Sequence, residues 1–150
     1  MVSAVATKPA TAPSLTIRRR FRASPARVFK AWTEPAQIAR WFGPGKIDIL
    51  EAVFEARAGG RFFVHGRSPD GEDHRVSGIV QEAVPDAKVI YTWAWQSTPE
   101  RESLVTVEFK PDGDGTLLVL THEKFFDESA RDRHNMGWTG GLDKLEAYLG

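Results

Sequence analysis

From Lys46 to Phe125 the apolar residues recur at every second position, and on either side of that stretch they recur at three and four. The first period belongs to half-buried strands and the second to amphipathic helices. Ahead of both, Leu15, Ile17, Arg19 and Phe21 alternate with polar neighbours in SLTIRRRFR, so residues 14–22 read as a strand. Its arginines place it at a sheet edge or on a solvated face. The segment ASPARVFKAWTEPAQIARWFGPG then offers two helix starts, Pro25 after Ser24 and Pro35 after Glu34. Proline is tolerated there because its missing N–H would have no partner in a first helical turn. Val28, Phe29 and Trp32 share a face of the first helix, Ile38, Trp41 and Phe42 share a face of the second, and Gly43-Pro44-Gly45 ends it.

Within the alternating stretch the breaks fall at RAGGR, SPDGED, VPDAK, TPERE and PDGDG, all turn-forming words. They delimit about six strands, near residues 46–56, 61–67, 73–83, 88–96, 102–110 and 116–125. Short turns between consecutive strands make an antiparallel meander. After FFD the helical period returns, with Asp127 as a candidate N-cap and Trp138, Leu142, Leu145 and Leu149 spaced by four, three and four. The order is strand, two short helices, six strands, long helix, an α+β class. A seven-stranded antiparallel sheet has to cover its apolar face, and the C-terminal helix is the only element long enough to do so. A curved sheet wrapped around that helix leaves a cavity suited to apolar small molecules. The helix carries Gly137, Gly140 and Gly141, each costing about 1 kcal/mol against Ala in a helix interior. They form a smooth patch beside the apolar stripe, which either lets the helix approach the sheet closely or widens the cavity.

Composition narrows the classes. A chain of 150 residues suits one domain, here residues 14–150, preceded by a tail at residues 1–13. That tail, MVSAVATKPATAP, is expected to be disordered because little in it can be buried to offset the entropy of ordering. Twenty basic and twenty acidic side chains cancel, so no field gathers nucleic acid or an anionic membrane. The absence of cysteine excludes disulfides, thiolate catalysis and cysteine-ligated zinc. No apolar run approaches the roughly 20 residues of a membrane span, and no signal-peptide stretch opens the chain, so a cytoplasmic protein is expected.

Tyr91, Trp93 and Trp95 alternate in YTWAW and project from one face of one strand, as a cavity wall or as ordinary core. Trp41 and Phe42 either line an entrance or pack the second helix onto the sheet. His65, His74, His122 and His134 show no ligand spacing, so no metal and no cofactor is expected. His122 alternates with Leu118 and Leu120, while Glu123 alternates with Leu117 and Val119, which makes both faces of the last strand apolar. Pointing inward, His122 could be a general acid or base with an ordinary pKa near 6.5, and pointing outward it would be a solvated side chain. GRSPDG reads as a turn, not a nucleophile elbow, and AGGRF lacks the residues of a phosphate-binding loop.

The words FRASPARVFKAWTEPAQIARWFGP, GGRF, VSGIVQEAVPDAKVIYTWAW, SLVTVEF, TLLVLTHEKF and RHNMGWTGGLDKLEAYL follow one another in the order seen in the START-like (SRPBCC) superfamily. The chain resembles the branch related to the C-terminal domain of activators of the heat shock protein 90 ATPase, and the resemblance covers almost everything after the tail. It implies the birch-pollen-allergen-like helix-grip fold: a curved seven-stranded antiparallel sheet around a long C-terminal helix, with two short helices after the first strand. It further implies a cavity mouth beside Trp41 and Phe42, and a plausible homodimer. The function it best suits is a binding module for a small hydrophobic or amphipathic molecule. The alternatives are a chaperone-directed interaction protein and an aromatase- or cyclase-type enzyme. The candidate ligand-binding residues are Trp41, Phe42, Tyr91, Trp93, Trp95, His122, Trp138 and Gly141, with no catalytic residue assigned.

Overall fold

The structure, a computed structural model, describes residues 12–150. Most of the expected tail, residues 1–11, lies outside the described residues; Pro13 offers its carbonyl to the Phe125 N–H at 3.1 Å. The elements run β1 (Leu15–Phe21), α1 (Pro25–Thr33), α2 (Pro35–Trp41), β2 (Asp48–Phe54), β3 (Arg61–Arg67), β4 (Asp73–Val84), β5 (Lys88–Trp95), β6 (Ser103–Asp112), β7 (Gly115–Glu123) and α3 (Glu128–Leu149). This is the element order expected from the hydrophobic periods.

The seven strands form one antiparallel sheet in the order β1-β7-β6-β5-β4-β3-β2. Strands β2 to β7 are the meander, and β1 closes the far edge beside β7 with Leu15 opposite His122 and Phe21 opposite Thr116. Register shifts interrupt β2–β3 between Ile49 and Glu51, and β4–β5 between Val80 and Glu82. Such bulges bend and twist the strands that carry them, and they curl this sheet into a half-barrel. At Gly78 of β4 the neighbouring strand comes so close that an added Cβ would overlap the Thr92 carbonyl oxygen. Thr92 Oγ1 meanwhile accepts the Ile79 N–H at 2.8 Å.

Strand β2 begins two residues later than the alternation suggested. Gly43 and Gly45 hold φ of 79° and 61°, a left-handed geometry that favours glycine, and they turn the chain before Lys46 and Ile47 can join the sheet. Both helix starts carry proline as expected, and the Ser24 side chain accepts the Arg27 N–H as an N-cap. Asp127 caps α3 in the same way on Ala130.

Helix α3 lies across the concave side with Trp138, Leu142, Leu145 and Leu149 buried. Val28, Phe29 and Trp32 of α1 and Ile38 and Trp41 of α2 complete one continuous core. The Trp32 ring stacks on that of Trp138 at 5.7 Å and 18°. Polar ties fix the helix ends: Arg19 of β1 reaches Asp143 at 2.7 Å and Glu146 at 2.6 Å, and Arg27 donates to the Leu149 carbonyl at 2.7 Å. A cation at the end of α3 satisfies a carbonyl that has no helical partner.

Candidate functional site

Between α3, the Gly43-Pro44-Gly45 corner and strands β3 to β5 lies a chamber of about 580 Å³. Its wall is built from Phe42, Ile47, Ile49, Val64, Val76, Trp93, Trp95 and Trp138. Two glycines make the room. Gly66 lines the chamber where any Cβ would come within 2.8 Å of Ile47 Cδ1, and Gly137 lines it where an added Cβ would meet nothing within 4 Å. A second chamber of about 490 Å³ adjoins it, and Trp93, Trp95, His74, Arg133 and His134 line both.

The eight candidate residues divide. Phe42, Trp93, Trp95 and Trp138 stand on the wall of the first chamber. Trp41 and Tyr91 lie behind it in close packing with Phe54 and Phe62, Tyr91 4.7 Å from the Phe62 ring, where no comparable space remains. Gly141 faces neither chamber; its added Cβ would rest 3.6 Å from Gly43 N and Trp41 O, so it seats α3 against the corner. Of the two readings of the glycine patch, vacancy therefore applies to Gly137 and close approach to Gly141. Gly140 belongs with Gly141, since its Cβ would come within 3.1 Å of Pro44 Cβ.

His122 points inward and is fully buried. Its Nδ1 accepts from Trp138 Nε1 at 2.9 Å, and its Nε2 lies 2.7 Å from Ser103 Oγ. An indole N–H can only donate, so Nδ1 carries no proton and the neutral ring must hold its proton on Nε2. Nε2–H then donates to Ser103, whose hydroxyl donates to the Trp93 carbonyl at 3.2 Å. Burial, followed by the nearby His134, pushes His122 down to about 2. The expectation of an inward His122 with a pKa near 6.5 is thus corrected: a buried ring saturated on both nitrogens neither accepts nor supplies a proton near neutrality. Ser103 receives a hydrogen bond from His122 and is not activated by it.

His134, on α3 one turn before Trp138, is a neighbour that the sequence offered only as one of four scattered histidines. Its Nε2 accepts from Trp95 Nε1 at 2.9 Å, which leaves Nδ1–H to donate to the Ala130 carbonyl at 2.7 Å. Burial lowers its pKa as well. His74 meets Ser68 Oγ at 3.1 Å at the rim. His65 is drawn away to Asp73 at 3.0 Å, and Arg67 and then His65 hold that carboxyl near 2. Among the described residues no three His, Asp or Glu side chains converge as a metal site requires, and no helix is long and apolar enough to cross a membrane.

Five tryptophans allow one further comparison. Trp32 donates to the Tyr91 hydroxyl, Trp41 to the Ala31 carbonyl, Trp95 to His134 and Trp138 to His122. Trp93 is 4 % exposed, and its Nε1–H has no acceptor among the described residues. Leaving such a donor unsatisfied costs about 1–3 kcal/mol.

A curled antiparallel sheet closed on a long C-terminal helix, with two short helices after its first strand, is the architecture of the START-like superfamily. Within it, the chain belongs to the family described as Activator of Hsp90 ATPase homolog 1-like protein, whose profile matches residues 22–150. Among solved structures, a Silicibacter pomeroyi protein described with that family's name is 28% identical, with a TM-score of 0.83 over 91% of this chain and 97% of that one. A Rhodobacter sphaeroides protein is 27% identical, with a TM-score of 0.80 over 94% and 95%. A Rhizobium leguminosarum protein is 31% identical, with a TM-score of 0.74 over 91% and 93%. No curated protein matches the chain.

Proposed function

We propose that this protein is a binding module for a small hydrophobic or amphipathic molecule held in the chamber between α3 and the sheet. The observation that carries the reading is the chamber itself, about 580 Å³ between α3 and the sheet, walled by Phe42, Trp93, Trp95 and Trp138 and left open beside Gly137. The volume and the largely apolar lining suit a small organic molecule. Phe42, Trp93, Trp95 and Trp138 form the contact surface in this reading, while Trp41, Tyr91, His122 and Gly141 hold that surface in place.

Catalysis of the cyclase kind would need titratable groups free to exchange protons with the ligand, and both buried histidines already have both ring nitrogens engaged. The test is native mass spectrometry of the protein after incubation with a lipid and metabolite extract, compared with a Gly137→Trp variant. An adduct on the parent that is absent from the variant is expected; no adduct on either would reject the reading.

The family description favours a second reading, stimulation of a chaperone ATPase. Measuring the ATPase rate of an Hsp90-type chaperone at saturating concentrations of this protein decides it, and an unchanged rate would remove that role.

A further inference from the structure

The two chambers differ in polarity, and both are bordered by cations. Lys46 and Arg133 are the charged side chains that line the 580 Å³ chamber, whose wall is otherwise largely apolar, whereas the 490 Å³ chamber is lined by Arg101 and Arg133, with Arg75 at its edge and Asp73 as its sole acid. Asp73 is already engaged, accepting from Arg67 Nε at 2.8 Å and lying 3.0 Å from His65 Nε2. Arg75 and Arg133 make no ion pair among the described residues, and Arg101 reaches only Glu100, at 3.8 Å. Arg101 is instead laid over the Phe126 ring at 3.8 Å, and Arg133 donates to Ser129 Oγ at 2.7 Å. Arg75 stands opposite His65 and next to the inward Val76, so alternation turns its side chain to the outer face of the sheet, whereas Arg101 from the loop after β5 and Arg133 from α3 border the shared space with no free carboxylate to answer them. Such groups favour planar or tetrahedral oxyanions, which they hold by paired hydrogen bonds.

The two chambers meet at the Trp95–His134 hydrogen bond, and Arg133 lines both. We infer that the ligand is an amphipathic anion, its apolar body in the first chamber and its carboxylate or phosphate group beside Arg101 and Arg133. This inference rests on the reading of the apolar chamber as a ligand site.

Displacement of the neutral fluorophore N-phenyl-1-naphthylamine by decanoate, decyl phosphate and decanol tests it. The fluorophore is expected to bind, and at least one anion is expected to displace it at about tenfold lower concentration than decanol. That advantage over decanol should shrink in high salt and vanish in the Arg101→Gln/Arg133→Gln double variant. Preference between decanoate and decyl phosphate identifies the head group. A bound fluorophore displaced equally well by decanol, or an anion advantage that survives in the double variant, overturns the inference and leaves the ligand site standing. Failure of the fluorophore and of all three amphiphiles to bind overturns both.

Discussion

Trp138 donates its indole N–H to His122 Nδ1 across 2.9 Å, and by doing so it fixes where the buried imidazole keeps its proton. Protonating Nδ1 would place an N–H against an N–H. Burial and the neighbouring His134 accordingly push His122 from its ordinary value to about 2. Between about 6.5 and 2 the unfolded chain takes up a proton on this residue that the folded protein refuses. The stabilisation is complete above pH 6.5 and is lost as pH falls toward 2, by roughly 1 kcal/mol per pH unit. His134, lowered in the same direction, should steepen the loss. Urea midpoints measured from neutral pH downward are expected to fall, with a shallower slope in His122→Gln. Midpoints independent of pH would show that the imidazole is not held neutral.

Gly137 and Gly141 stand one helical turn apart with opposite surroundings. Gly137→Ala should stabilise α3 by about 0.5–1 kcal/mol, since it enters open space and improves helix propensity. Gly141→Leu should lose about 1–3 kcal/mol by overpacking against Trp41 and Gly43. Thermal melts of the two variants check both signs. Equal destabilisation would mean that Gly137 also faces packed atoms.

Trp93→Phe and Trp138→Phe remove the same atoms from rings on the same wall. The Trp93 change deletes an unsatisfied donor, so its relief offsets the packing it loses and stability should change by less than about 1 kcal/mol. Loss of the Trp138 donor leaves His122 Nδ1 without a partner and is expected to cost about 2 kcal/mol more than the Trp93 change. Chemical denaturation of both variants measures the difference, and a larger cost at Trp93 would show that its N–H has an acceptor.

Gly78→Ala is expected to destabilise by about 2 kcal/mol or more, because its methyl would occupy the position of the Thr92 carbonyl oxygen. Ordinary strand propensity predicts a gain at the same position. A denaturation curve separates the two by sign.

The architecture was legible because its signals are local. Each period change coincides with an element boundary, and the caps Ser24 and Asp127 behave as their residue types suggest. The facing of His122 was not legible, since β7 lies between β1 and β6 and carries apolar residues on both sides. Only the curl of the sheet decides which side is interior. The site was half legible: YTWAW marked a wall, but nothing in one strand shows that Tyr91 is packed by Phe54 and Phe62 while Trp93 stands beside a space. His134 and Trp138 are spaced one turn apart, a signal that could have paired them. Arg101 and Arg133 are far apart in sequence, and only the fold brings them to one space.

The pairing of β1 with β7 bears on how the protein is made. A ribosome releases β1 first, yet the strand it completes comes near the end, and its Arg19 finds Glu146 only 127 positions later. The meander β2 to β7 can assemble as each hairpin emerges, but until β1 docks, β7 is a bare sheet edge beside an uncovered apolar face. Contacts so distant along the chain slow folding. Until the first strand closes and the last helix docks, the nascent protein exposes an apolar surface through which such chains aggregate.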